Sequence, residues 1–316
     1  MKDCDHMEEK VVNIKLNDID KIIKDNNGIV DTNTYVINLD NCNGITMNLL
    51  NELDKSKIDF KFKIYNDFNN TDTFGKTPLY NYDLSQMKEI ISIFEEIKNA
   101  TSNLNKLGRF FFTYRLLSEL FKYNDYYSGV EEDLTKVEGI KRSIYGSLIN
   151  GEGVCVGFAV TLSNILNYLG INSKTIHGIG TTNTGLSGGH AWNAVELNDK
   201  WYETDLTFDL IDNINLPFCL KVDEDFISTH EPYDVSEIKD LDYSSDNFDS
   251  DLKYNYNYVI YNNEELRFKD VLEKVKSYMK KKKTKTIEEM SIRELMTNLY
   301  GKEKVDELIN ESHKSL

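Results

Sequence analysis

The sequence predicts an α+β protein, because helical and strand-like periods fall in separate blocks and not in strict alternation. Helical stripes dominate residues 84–169, strand-like alternation follows over 173–204, and short pieces of both kinds share the first 80 residues. In the first helix, apolar residues at 87, 90, 91, 94 and 97 line one face of Leu84–Lys98, with Asp83 or Ser85 placed to cap it. Phe110–Tyr123 and Val137–Leu148 read as two more helices. Phe158, Leu162, Leu166 and Leu169 then mark one face of a fourth, which begins near Cys155 and stops at Gly170. Strands are expected at Ser173–Gly180, His190–Leu197 and Lys200–Thr204.

Three regions follow from these periods and from the punctuation between them. Residues 1–80 form a small mixed α/β region, with strands at Tyr35–Leu39 and Ile58–Tyr65 around a short helix in ITMNLLNELDK; Pro78 closes it. Residues 83–235 are the core. Residues 236–316 open with a polar acidic stretch and continue in helical period past the run Lys280–Lys283, which reads as a solvated face in so acidic a chain.

Composition excludes several classes of function. Of 316 residues, 40% are apolar and 28% charged, enough to bury a substantial core. Acidic side chains outnumber basic ones 53 to 37, and the net charge of −16 disfavours binding to nucleic acid or to an anionic membrane. No apolar run is long enough for a signal peptide or a membrane span, so a cytoplasmic protein is expected. The four cysteines, Cys4, Cys42, Cys155 and Cys219, form neither a disulfide framework nor a zinc motif, and no metal or cofactor is expected.

Cys155 sits where a turn rich in glycine (Gly151, Gly153) passes into an amphipathic helix. Unpaired N–H groups and the helix dipole favour negative charge there, which is what a thiolate nucleophile needs. Gly157 is read as room for a substrate backbone. A free cysteine is equally often an inert buried hydrophobe, so this segment alone leaves both readings open.

A thiolate mechanism also needs an imidazole and a group to orient it. Of His6, His177, His190, His230 and His313, only His190 opens a strand directly after a flexible loop, TTNTGLSGGH. If Asn198–Asp199 is a two-residue hairpin loop, 197 faces 200, 192 faces 205 and 190 faces 207. Asp205 then lies diagonally from His190 on the same face, about 7–8 Å away between backbones and within side-chain reach. A one-residue slip would undo this. An aspartate at such a place is also commonly a helix cap, here for Leu206–Leu210.

These residues also carry a resemblance. GEGVCVGFAVTLSNILNYLGI resembles the nucleophile helix of bacterial transglutaminase-like proteins, and GGHAWNAVELNDKWYETDLTFD resembles their histidine and aspartate strands. CLKVDEDFISTHEP is similar to a segment that often follows. The resemblance covers roughly residues 85–235 and is strongest over 150–209. It implies a papain-like core, with the helix of the nucleophile packed on an antiparallel sheet. It implies Cys155 as nucleophile, His190 as general base and then acid, and Asp205 as orienter, acting by acyl transfer at an amide of a protein or peptide. For the oxyanion or pocket it points to the Cys155 N–H with Tyr123, Asn124 or Tyr126, and to Trp192 beside the histidine. Aromatic and Asn residues before a loop are also ordinary packing and turn residues, and a buried tryptophan is ordinary core.

Two other readings compete with the enzyme. Long flanks and an acidic surface suit a catalytically silent binding or assembly module. Cys155, His190 and Asp205 would also make a three-ligand zinc site. The sequence leaves the oligomeric state open.

Overall fold

The computed structural model describes residues 10–25, 33–64, 80–123, 139–182, 185, 187–210, 215–222, 226–263 and 267–279. Among them, two four-stranded sheets flank a set of helices, and the fold is α+β as expected.

The first sheet has the order β1-β2-β3-β4: Val11–Lys15, Thr34–Leu39, Asp59–Ile64 and Asn81–Asp83. Its first three strands are parallel, so each return needs a crossover. Helices α1 (Ile19–Asp25) and α2 (Met47–Ser56) lie in those connections. Thr46 caps α2, accepting from the Leu49 N–H, and Lys57 ends it in the left-handed region at φ 58°. The long helix α3 (Leu84–Ala100) starts in a capping box in which Asp83 and Gln86 satisfy each other's N–H groups.

Helix α4 is Lys106–Leu120, capped by Asn105. It begins and ends before the span read from sequence, and its successor Lys122–Tyr123 is a short strand, β5. The helix expected over Val137–Leu148 is interrupted: residues 139–141 are helical, the chain turns at 142–143, and Ser143 in extended backbone accepts from the Gly146 N–H to start α5, Ile144–Leu148. Residues 137 and 138 lie outside the described residues. After β6 (Glu152–Gly153), paired in parallel with β5, comes α6 (Cys155–Tyr168).

Helix α6 is buried on all sides, so the one-sided stripe seen in sequence understates it. On one side it meets the second sheet, where the Asn193 amide donates to the Ala159 carbonyl at 2.8 Å. On another, Asn164 Oδ1 accepts the Cys42 N–H at 2.9 Å and ties the helix to the N-terminal region. A single apolar cluster runs from Ile14 through Phe62, Phe94, Phe112 and Phe158 to Val275.

The second sheet is antiparallel in the order β10-β7-β8-β9: His230–Pro232, Ser173–Thr181, Ser187–Leu197 and Lys200–Thr204. Leu197 pairs with Lys200 and Asn193 with Thr204, the register expected from the Asn198–Asp199 turn. Both turn residues have positive φ (54° and 60°), as a type I′ hairpin requires. Helix α7 (Leu206–Asp209) follows at once, and α8 (Ser250–Asn262) and α9 (Phe268–Tyr278) pack against α4. Lys280–Lys283 lies outside the described residues. Among those described, no helix is long and apolar enough to cross a membrane.

Candidate active site

Cys155 is the first residue of α6. Gly151, at φ +72°, turns the chain into β6, and Val154 precedes the helix in extended backbone with no side chain able to cap it. The first-turn N–H groups therefore meet the thiol side of the helix without a capping oxygen. Gly157 does something other than expected. A Cβ there would lie 2.4 Å from the Lys141 carbonyl and 2.5 Å from Ser147 Oγ, so the room it makes is filled by the chain itself and not left for substrate.

His190 is also placed differently from the expectation. The loop ends earlier, and β8 begins at Ser187, making His190 its fourth residue, opposite Gly178. Gly188 and Gly189 read as loop in sequence because they carry no side chains to show alternation; here they pair with Gly180 and Ile179. Residues 191, 193 and 195 belong to the side packed on α6, whereas Trp192 and Ala194 belong to a second apolar cluster with Ile176, Phe226 and Ile238. The ring of His190 lies in that second environment, stacked on Phe208 at 4.6 Å.

His190 Nε2 donates to Asp205 Oδ2 at 2.6 Å, and the Cys155 sulfur is a further hydrogen-bond partner of the same imidazole. Asp205 also caps α7: its Oδ1 accepts the N–H groups of Thr207 at 2.8 Å and Phe208 at 3.2 Å. The capping role and the histidine-orienting role, alternatives in the sequence, are divided between the two oxygens of one carboxylate.

Burial governs the electrostatics. Asp205 is 1% exposed, and desolvation alone would raise its pKa. The charge and hydrogen bond of His190, with those of His230, outweigh it and hold the carboxyl well below the usual range. For His190, burial works against the imidazolium, but Asp205 and then Cys155 prevail and push its pKa up to about 10. Charged imidazole and carboxylate are thus mutually supporting. Cys42 and Cys219 are fully buried, and burial pushes both of their thiols up. Cys4 lies outside the described residues.

Tyr123 pairs with Gly153, two residues before the thiol, half-exposed with its ring edge against Phe158. Asn124 and Tyr126 lie outside the described residues. Trp192 is 1% exposed, a core residue whose ring also lies 6.2 Å from that of His190.

His230 was not singled out by sequence. It stands on β10, opposite Gly180, and its Nε2 lies 3.0 Å from the same Asp205 oxygen that His190 uses. His190, Asp205 and His230 offer three ligand atoms within 4.8 Å of one another, a set that by distance fits a metal ion; it differs from the cysteine-containing set weighed from sequence. Both nitrogens already face the carboxylate as donors.

The transglutaminase-like superfamily model matches residues 105–206. A search of curated proteins gave no match. Among solved structures, one described as the crystal structure of a TGase is 14% identical with a TM-score of 0.31, covering 63% of this chain and 59% of that one. This chain therefore spans less than two thirds of that structure. Calcium-bound LapG of Legionella pneumophila is 12% identical with a TM-score of 0.32, covering 69% and 98%. The family match over residues 105–206 contains Cys155, His190 and Asp205 and covers less than half of the chain.

Proposed function

We propose that the protein transfers or hydrolyses an amide acyl group of a protein or peptide through the Cys155 thiol. The observation that carries this is a single imidazole bonded to both other groups: Asp205 at 2.6 Å on one nitrogen, and the Cys155 sulfur as a further partner. In this reading the sulfur attacks the amide carbonyl and the C–S bond forms. His190 gives its proton to the amide nitrogen as the C–N bond breaks, and the amine leaves. Water or a second amine then attacks the thioester, His190 takes its proton, and the thiol is restored. Asp205 keeps the imidazole turned so that Nε2 is occupied and the other nitrogen serves the sulfur. The Cys155 N–H at the start of α6 is the natural donor to the oxyanion, with Tyr123 as the candidate side chain beside it.

A second reading rests on the closure of the centre, since Cys155 is 6% and His190 7% exposed. A silent binding or assembly module would keep the same packing without turnover. One experiment separates these readings. The protein and its Cys155→Ala variant are incubated with a fluorescent primary amine and a glutamine-donor protein. Cysteine-dependent incorporation means transfer, and release of ammonia or peptide without incorporation means hydrolysis. Neither product would favour the silent module.

A further inference from the structure

The reaction as written has no use for His230, yet this histidine is 2% exposed and bonded into the centre. Asp205 Oδ2 accepts both His190 at 2.6 Å and His230 at 3.0 Å, while Oδ1 is taken by the N–H groups of Thr207 and Phe208. Four donors on two oxygens leave this carboxylate no freedom to turn. Asp205, an acceptor, keeps a ring proton on His230 Nε2, while the Thr229 hydroxyl, which donates to the Phe226 carbonyl at 3.2 Å, lies 2.8 Å from Nδ1. Phe226 stacks on the ring at 3.9 Å and Trp192 meets it edge-on at 4.9 Å. The tautomer, tilt and position of His230 are all set by neighbours.

We infer that His230 is a positioning residue acting through Asp205: it anchors the carboxylate from a second strand and draws off part of its charge, so that His190 releases its proton to the leaving amine more readily. This rests on the thiol reading proposed above. A general acid must both hold and surrender a proton, and a carboxylate devoted to one imidazolium alone would hold it too tightly.

The groups acting on His230 support the neutral form this role needs. Burial disfavours its charged form, the bond and charge of Asp205 and the Phe226 carbonyl only partly offset that, and His190 repels a second positive charge, so its pKa lies below the ordinary value. Phe208, Phe218, Phe226 and Trp192 around it carry no charge. Cys155 acts on His190, and Asp209 on Asp205, one step removed.

The test is the pH profile of Cys155 alkylation by iodoacetate, an anion whose attack falls off when the imidazolium loses its proton. His230→Phe keeps a ring but removes the donor; His230→Gln replaces the donor. The alkaline limb is expected to move up by about one pH unit in the Phe variant, because Asp205 then acts on His190 alone. The Gln variant is expected to return it towards wild type. Should the Phe variant not fold, Thr229→Val, which removes the polar contact at Nδ1 but keeps the ring, is expected to move the same limb in the same direction by less. An unmoved limb, or equal shifts in the Phe and Gln variants, overturns the inference. A wild-type Cys155 alkylated no faster than Cys42 and Cys219 would instead overturn the thiol reading itself.

Discussion

The ring of His190 lies across Gly180 so closely that a Cβ at 180 would sit 2.8 Å from its Cγ and Cδ2. Two residues earlier on the same strand, a Cβ at Gly178 would be 2.1 Å from the Glu231 carbonyl and 2.6 Å from the Trp192 ring. Gly180→Ala is therefore expected to shift the imidazole and depress turnover while leaving the protein folded. Gly178→Ala has backbone in its way, and overpacking of this kind costs about 1–3 kcal/mol. Denaturant midpoints beside activity distinguish the two; equal stability loss would show that the strand and not the imidazole gives way.

Asp205→Asn is the informative change at the carboxylate. An amide oxygen can still accept the Thr207 and Phe208 N–H groups, so α7 keeps its cap, but the negative charge beside His190 is gone. Activity is expected to fall by orders of magnitude, about 10⁴ if the centre behaves like other oriented-histidine triads. Asp205→Ala also loses the cap, about 1 kcal/mol more of stability. Thermal melts of both variants with turnover of each check this.

Asp209 makes stability depend on pH. Burial, and then the nearby Asp205 charge, push its carboxyl from 3.8 up to about 8, while the Phe218 N–H and Tyr114 hydroxyl bond it. A raised folded pKa means its favourable contribution is complete below 3.8 and fades as pH climbs through about 8. Asp209→Asn should keep the Phe218 bond, let its NH2 donate to the Tyr114 oxygen in place of the present bond, and flatten the fall in melting temperature over that window. An unchanged slope would place the pH dependence elsewhere. His190, raised from 6.5 to about 10, adds a later loss over that higher range.

Asn164→Leu is expected to destabilise by about 1–3 kcal/mol, because the Cys42 N–H at 2.9 Å loses its buried acceptor. Urea unfolding measures this. A neutral result would mean that the N-terminal region does not depend on that bond.

Local pairing was legible in the sequence and distant pairing was not. The Asn198–Asp199 turn fixes its own register, so the reach from His190 to Asp205 follows from counting residues. The capping box at Asp83 is equally local. His230 is 25 residues beyond Asp205 and joins the centre only because β10 adds to the far edge of β7. The hint was a short segment with Pro232 just after the histidine, as suits an edge strand. Gly157 misled for a related reason: a glycine signals close approach without saying of what, and the visitor is Lys141.

The chain leaves Asp205 and, 25 residues on, comes back at His230 to the same oxygen. That round trip is a loop pinned at both ends by one side chain. Closure entropy grows only slowly with contour length, about 0.6 kcal/mol for a doubling. A change of length in this stretch would therefore cost little in closure entropy, and what holds it is its own packing, with Leu206, Leu216, Leu220 and Phe226 all buried.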